Sequence, residues 1–229
     1  MGRKRLQKYQ QFNTFDFTYS DLDVESLDAF QQVIKNRPLI LELACGRAEY
    51  SLAMAPHYPN HLLIGVDRQS DRLLIAARQV ASLNISNVLL LKSQVANLNS
   101  LIDEHSVEQI WIPFPDPFPK KKHHRRRLSH HHYLKVYQLL VNTGDVHLKT
   151  DSQELWTYSM QQLSTFPQAR ILESSSDLYQ DDRFNPHTHP NLFISSYYQQ
   201  QFLEQGLAIC YLHWTYDSQA VVNRFGGSV

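Results

Sequence analysis

Four apolar runs, each closed by a turn signal or an acid, constrain this chain more than any other feature. Pro38 introduces Leu39-Ile40-Leu41-Glu42-Leu43-Ala44-Cys45-Gly46, and His61-Leu62-Leu63-Ile64-Gly65-Val66-Asp67 repeats the pattern. Val88-Leu89-Leu90-Leu91 and residues 109–114 follow. A short, nearly continuous apolar run suits a strand covered on both faces, and such strands belong to parallel sheets. Helical periods separate them. The clearest spans 70–83, where Leu73, Leu74, Ala77, Val80 and Ala81 fall on one stripe. Further strands are predicted at 145–151, 169–174 and 207–216, and further helices at 22–34, 49–57, 97–104, 133–141, 152–165 and 196–205. Asn142-Thr143-Gly144 reads as a helix stop. The alternation predicts an α/β fold: a doubly wound, mostly parallel seven-stranded sheet with helices on both faces and right-handed crossovers.

Length and composition fit one globular domain over 21–217, preceded by a basic, aromatic arm (1–20) with little structure of its own and followed by a frayed tail (218–229). Charged residues are 19% and hydrophobic residues 42%, which excludes a disordered chain. No apolar run reaches the length of a membrane span, and the polar N-terminus is no signal peptide. Cys45 and Cys210 sit in apolar runs and read as reduced core thiols of a cytoplasmic protein. The net charge of zero conceals an asymmetry. Arg3, Lys4, Arg5 and Lys8, with six Lys/Arg in 120–127, make up ten of the 22 basic residues. The other 12 face 22 acids, so the body carries about −10, and the two basic segments point to one polyanion-binding face.

The second of those segments follows the fourth apolar run. Residues 110–119 read Ile-Trp-Ile-Pro-Phe-Pro-Asp-Pro-Phe-Pro, and Lys120-Lys121-Lys122-His123-His124-Arg125-Arg126-Arg127 comes next. Proline fixes its own φ and extends the residue before it, so Asp116, between Pro115 and Pro117, is held in a narrow range of positions. A stiff carboxylate beside a basic run suits an active site next to a nucleic-acid backbone. In a doubly wound sheet ligands bind beyond the carboxyl ends of the strands. Those ends carry Glu42 to Ala48, Asp67, Ser93-Gln94, Asp116 and Thr150-Asp151. The first turn has one glycine, Gly46, and Asp67 is placed either to accept from ribose hydroxyls or to start a helix. Five histidines in 123–132 have no carboxylate or Cys at ligand spacing among them and cationic neighbours, so no metal is expected there or elsewhere.

These residues carry a family resemblance. Phe114-Pro115-Asp116-Pro117 with Lys120, His123 and Arg125-Arg126-Arg127 resembles the signature loop of the tRNA (guanine-N7-)-methyltransferases, Rossmann-like class I enzymes that use S-adenosyl-L-methionine (AdoMet). His147-Leu148-Lys149-Thr150-Asp151 and the order Glu42, Asp67, Asp116, Asp151 are similar too, over residues 38–215. The resemblance implies AdoMet contacts from Glu42, Gly46, Asp67, Gln94 and Asp116, with Asp116 as the catalytic carboxylate. It implies substrate contacts from Lys120, Asp151 and the late motif Ser196-Tyr197-Tyr198-Gln199, and tRNA backbone contacts from Lys121, Lys122, Arg125, Arg126 and Arg127.

Departures from the family pattern bear on activity. Ala44 and Ala48 stand at the outer positions of a Gly-x-Gly-x-Gly-like turn, Gln94 and Gln199 replace acids, and Phe118 replaces a common Trp. An added methyl is strained where φ is positive. Gln94 still offers an acceptor to an adenine amino group. The expected function is methylation of guanine N7 in tRNA. The alternative is a non-catalytic paralogue that binds RNA without methyl transfer, which Ala44, Ala48, Gln94 and Gln199 favour and Asp116, Lys120, Asp151 and the basic run oppose.

Overall fold

The computed structural model describes residues 3–217, without the side chains at 3–5, 142, 143 and 198. The expected tail, and the side chains of Arg3, Lys4 and Arg5 in the first basic segment, lie outside what is described. The fold is a sheet of eight strands flanked by helices. In chain order the helices and strands are α1 (Arg3–Phe12), β1 (Thr18–Ser20), α2 (Val24–Ile34), β2 (Leu39–Leu43), α3 (Glu49–Met54), β3 (Leu62–Asp67), α4 (Ser70–Leu83), β4 (Val88–Lys92), β5 (Val107–Pro113), α5 (His131–Leu140), β6 (Val141–Thr150), α6 (Gln153–Ser164), β7 (Ala169–Ser175), α7 (Tyr197–Glu204) and β8 (Cys210–Tyr216). The sheet order is β1-β4-β3-β2-β5-β6-β8-β7, parallel except at β8, which runs against both β6 and β7.

Side chains alternate across the pleat, and the apolar runs supply both faces. Leu39, Leu41 and Leu43 enter one buried cluster with Ile64, Leu134, Tyr137 and Trp214. Ile40 enters the other with Leu63, Tyr50, Leu73, Ala77 and Trp111. The chain leaves β2 toward β3 and β4 on one side and later returns to place β5 and β6 on the other. That reversal opens a crevice between the carboxyl ends of β2 and β5, where ligands of such sheets sit.

Three expectations change. The eighth strand, and a helix before it, come from the segment read as an arm. Thr18–Ser20 pairs with Leu90–Lys92, Phe12 is fully buried, and Tyr19 packs its ring on Phe30. Residues 142–144 lie within β6 rather than in a turn. Gly144 is required there by close strand approach, since a Cβ would sit 2.4 Å from the Glu108 carbonyl oxygen. The basic run is a 3-10 helix over Lys121–Arg126, not an irregular loop.

Candidate active site and RNA-facing loop

Two adjoining cavities lie over the crevice. The larger, about 470 Å³, is lined in part by Asp67, Arg68, Gln94, Phe118, Arg126 and Tyr133. The smaller, about 200 Å³, is lined in part by Glu42, Gly46, Tyr50, Asp151, Ser196 and Phe202. Ala44, Arg72, Pro115 and Asp116 line both. The strand-end residues that topology predicts to converge do converge, and Asp116, exposed, stands at the junction.

The acids on the β2–β3 side are held by backbone donors. Asp67 accepts from the Gly46 N–H (3.1 Å) and the Gln69 N–H (2.8 Å), which ties the first turn to the start of α4. Glu42 is buried and accepts from both the Ser51 N–H (2.7 Å) and Ser51 Oγ (2.6 Å) on α3. Burial outweighs these bonds and pushes its carboxyl up to about 7. The turn between them is left-handed at three positions: Ala44 (φ 53°), Gly46 (φ 55°) and Ala48 (φ 55°). Alanine is strained there by roughly 1–2 kcal/mol at each position. Ala48 is fully buried, whereas Ala44 is exposed and faces the cavities.

The loop after β5 is also strained. Phe114 (φ 51°) and Phe118 (φ 42°) bracket the Pro-Asp-Pro step in a region that bulky side chains rarely adopt. The Phe114 N–H donates to the Lys149 carbonyl (2.8 Å), and Arg127 closes the other end. Arg127 is 1% exposed. Its guanidinium donates to the Pro117 carbonyl (2.8 Å), the Phe118 carbonyl (3.2 Å) and Glu154, and stacks over Tyr158. This corrects its assignment to an RNA backbone: the side chain is buried, and three of its five N–H donors are taken up by the loop and α6 rather than presented to a phosphate. Lys120, Lys121, Lys122, Arg125 and Arg126 remain exposed.

The third wall comes from β6 and the segment before α7. Asp151 is half-buried, which raises its pKa, and it lines the smaller cavity. Lys149 is fully buried and, among the described residues, has no carboxylate within ion-pair distance; burial lowers its ammonium to about 7. Its Nζ donates to the Leu192 carbonyl and to Gln199 Oε1, and Gln199 in turn donates to Tyr179 Oη. Gln199 is therefore not a substrate contact: it is 1% exposed, and its amide is spent holding Lys149. Ser196 caps α7 and reaches the cavity wall, and the Tyr197 N–H donates to Glu49 Oε2 (3.0 Å) while Arg47 stacks on its ring. The side chain of Tyr198 lies outside the described residues. Arg72, Tyr133 and Tyr50 escaped the sequence reading. The only cue for Arg72 was its place in the first turn of the helix that follows Asp67.

A family model described as "Putative methyltransferase" matches residues 36–212. A tRNA (guanine-N(7)-)-methyltransferase of Bacteroides fragilis is 32% identical over 224 residues, covering 93% of this chain and 85% of that protein. One of Porphyromonas gingivalis is 36% identical over 180 residues, covering 77% and 70%. Among solved structures, the 16S rRNA methyltransferase KamB superposes with a TM-score of 0.60 over 87% of this chain and 94% of that one. At 12% identity that likeness speaks for the fold alone.

Proposed function

The chain belongs to the tRNA (guanine-N(7)-)-methyltransferase family, and from that premise we propose a working assignment for its site. It methylates N7 of a guanosine in tRNA, with AdoMet as the methyl donor. The observation that carries the assignment is Asp116 at the junction of two cavities, one large enough for a cofactor and one beside Asp151 and Ser196.

A volume of about 470 Å³ lies within the range of roughly 300–1,000 Å³ usual for small-molecule sites. The donor set suits a nucleoside-bearing sulfonium. Asp67, fixed by two N–H groups, keeps lone pairs for ribose hydroxyls, and Gln94 offers an amide oxygen to an adenine amino group. Glu42 and Gly46 border the neighbouring space. When bound, AdoMet supplies an already activated methyl group.

Guanine N7 carries a free lone pair, so no base has to remove a proton. The residues need only align N7 and offset the positive charge that grows on the purine. Asp116 and Asp151 line one cavity and can accept from guanine N1–H and N2–H while balancing that charge. Lys120, Lys121, Lys122, Arg125 and Arg126 present exposed cations to tRNA phosphates. A cytoplasmic site of action belongs to the same reading; among the described residues, no helix is long and apolar enough to cross a membrane.

The test is methyl transfer from labelled AdoMet to unmodified tRNA, with nucleoside analysis. We expect 7-methylguanosine, and a loss of at least about 100-fold in kcat at saturating AdoMet for Asp116→Asn. Full transfer by that variant would remove Asp116 from catalysis. No transfer by the wild type, with salt-sensitive tRNA binding intact, would select the non-catalytic paralogue, which the left-handed Ala44 and Ala48 favour.

A further inference from the structure

Away from the crevice, three side chains on β6 and β8 converge. Asp145 and His147 are two residues apart on β6 and so share a face, and His213 lies directly across from His147 on β8. Their ligand-capable atoms all lie within 4.8 Å of one another. His147 is buried, while Asp145 keeps 42% of its side-chain surface open to solvent, which gives an entry route.

The outer contacts are more telling than the cluster. His147 Nδ1 is held by Tyr211 Oη (2.9 Å), and His213 Nδ1 by Glu173 Oε2 (3.0 Å). Each ring is therefore oriented through Nδ1, and on His213 this leaves Nε2 facing Asp145. That is how metal-ligating histidines are prepared, with a second group on the far nitrogen fixing tautomer and direction. His213 Nε2 is buried and without a hydrogen-bond partner, although Asp145 Oδ1 lies 3.1 Å away. That spacing makes an ion pair when the ring is protonated and, when the ring is neutral, sets two ligand atoms side by side for a shared cation.

The geometry points to a divalent transition-metal site on this chain, formed by Asp145, His147 and His213, with Glu173 and Tyr211 as orienting groups. Two imidazoles and one carboxylate select a borderline ion such as Zn²⁺ over Mg²⁺ or Ca²⁺, which prefer all-oxygen sets. Three protein ligands leave a further position for water. The rings of His147 and His213 stack 4.4 Å apart between centroids, which keeps the two imidazoles side by side at the site. The site joins β6 to the antiparallel β8 and, through Glu173, to the edge strand β7, so bound metal would pin this end of the sheet.

The experiment uses full-length, tag-free protein, freed of metal by chelation and titrated with Zn²⁺ by calorimetry and with Co²⁺ by visible absorption. We expect one equivalent to bind, a raised melting temperature, and Co²⁺ bands of a four- or five-coordinate site. Asp145→Asn and His213→Gln should each abolish the bands, and Glu173→Gln should weaken Zn²⁺ binding about 10- to 100-fold. A His131→Gln/His132→Gln variant should bind as the wild type does. No stoichiometric binding would overturn the proposal, as would binding that survives Asp145→Asn and His213→Gln but fails in the His131/His132 variant. Asp145 is half-exposed, so its variant remains informative if a histidine variant does not fold.

Discussion

The two sides of the crevice hold their buried charges in opposite ways. On the β2–β3 side the groups are acids, and backbone N–H groups fix them: Gly46 and Gln69 on Asp67, Ser51 on Glu42. On the β5–β6 side they are cations, and backbone carbonyls fix them: Pro117 and Phe118 on Arg127, Leu192 on Lys149. Each follows from what the local chain exposes. A strand-to-helix turn points N–H groups outward, which suits a group that only accepts. A proline-rich loop lacks donors and leaves carbonyls unpaired, which suits a group that only donates. Rigidity therefore comes to the first side through a strained turn, and to the second through buried arginine and lysine.

Arg127→Ala is the strongest way to break this contrast. It orphans two loop carbonyls, at about 1–3 kcal/mol each, and should lower stability by roughly 4 kcal/mol in urea denaturation. A loss under about 0.5 kcal/mol, the size of an ordinary surface change, would mean the loop is held without it.

Glu42 and Lys149 sharpen the contrast through pH. The Glu42 pKa is raised from 4.5 to about 7, so its contribution to stability is full below pH 4.5 and is lost as pH climbs through 7. Lys149 is depressed from 10.5 to about 7, so its contribution is full above pH 10.5 and is lost as pH falls through 7. Between pH 4.5 and 8, Glu42→Gln should gain about 3 kcal/mol relative to the wild type. Equal pH profiles would show that Glu42 titrates normally when folded.

Arg125→Ala tests the solvent-facing half of the run. It should leave stability unchanged, weaken tRNA binding several-fold, and reduce the slope of log K against log salt by about one. The smallest effects belong to the strained turn. Ala44→Gly relieves a left-handed alanine that packs against nothing essential and should stabilise by about 1 kcal/mol. Ala48→Gly relieves similar strain but removes a buried methyl worth about 0.8 kcal/mol, so its melting point should barely move.

What could be read in the chain follows one rule: a signal is legible where it repeats locally. Apolar runs such as Leu39–Leu43 and Leu62–Asp67 announce buried parallel strands, and the strand-end rule then carries Asp67, Asp116 and Asp151 to one crevice without knowledge of any contact. The family pattern in the Pro-Asp-Pro loop and basic run is local as well.

The rest depended on partners far away in sequence. Nothing in Arg125-Arg126-Arg127 marks the third as the one that turns inward; Glu154 and Tyr158 on α6 decide that. Gln199 looks like a substrate residue until Lys149 claims it. Thr18–Ser20 is too short to read as a strand and becomes one only by pairing with Leu90–Lys92. Asp145, His147 and His213 meet through the antiparallel register of β8 on β6. Patterning thus determined seven of the strands, their order along the chain and the rim where the strand-end acids meet. Tertiary structure alone decided which charges face the ligand and which hold the walls, because the burial of a charge depends on whether a complementary donor or acceptor lies across the fold.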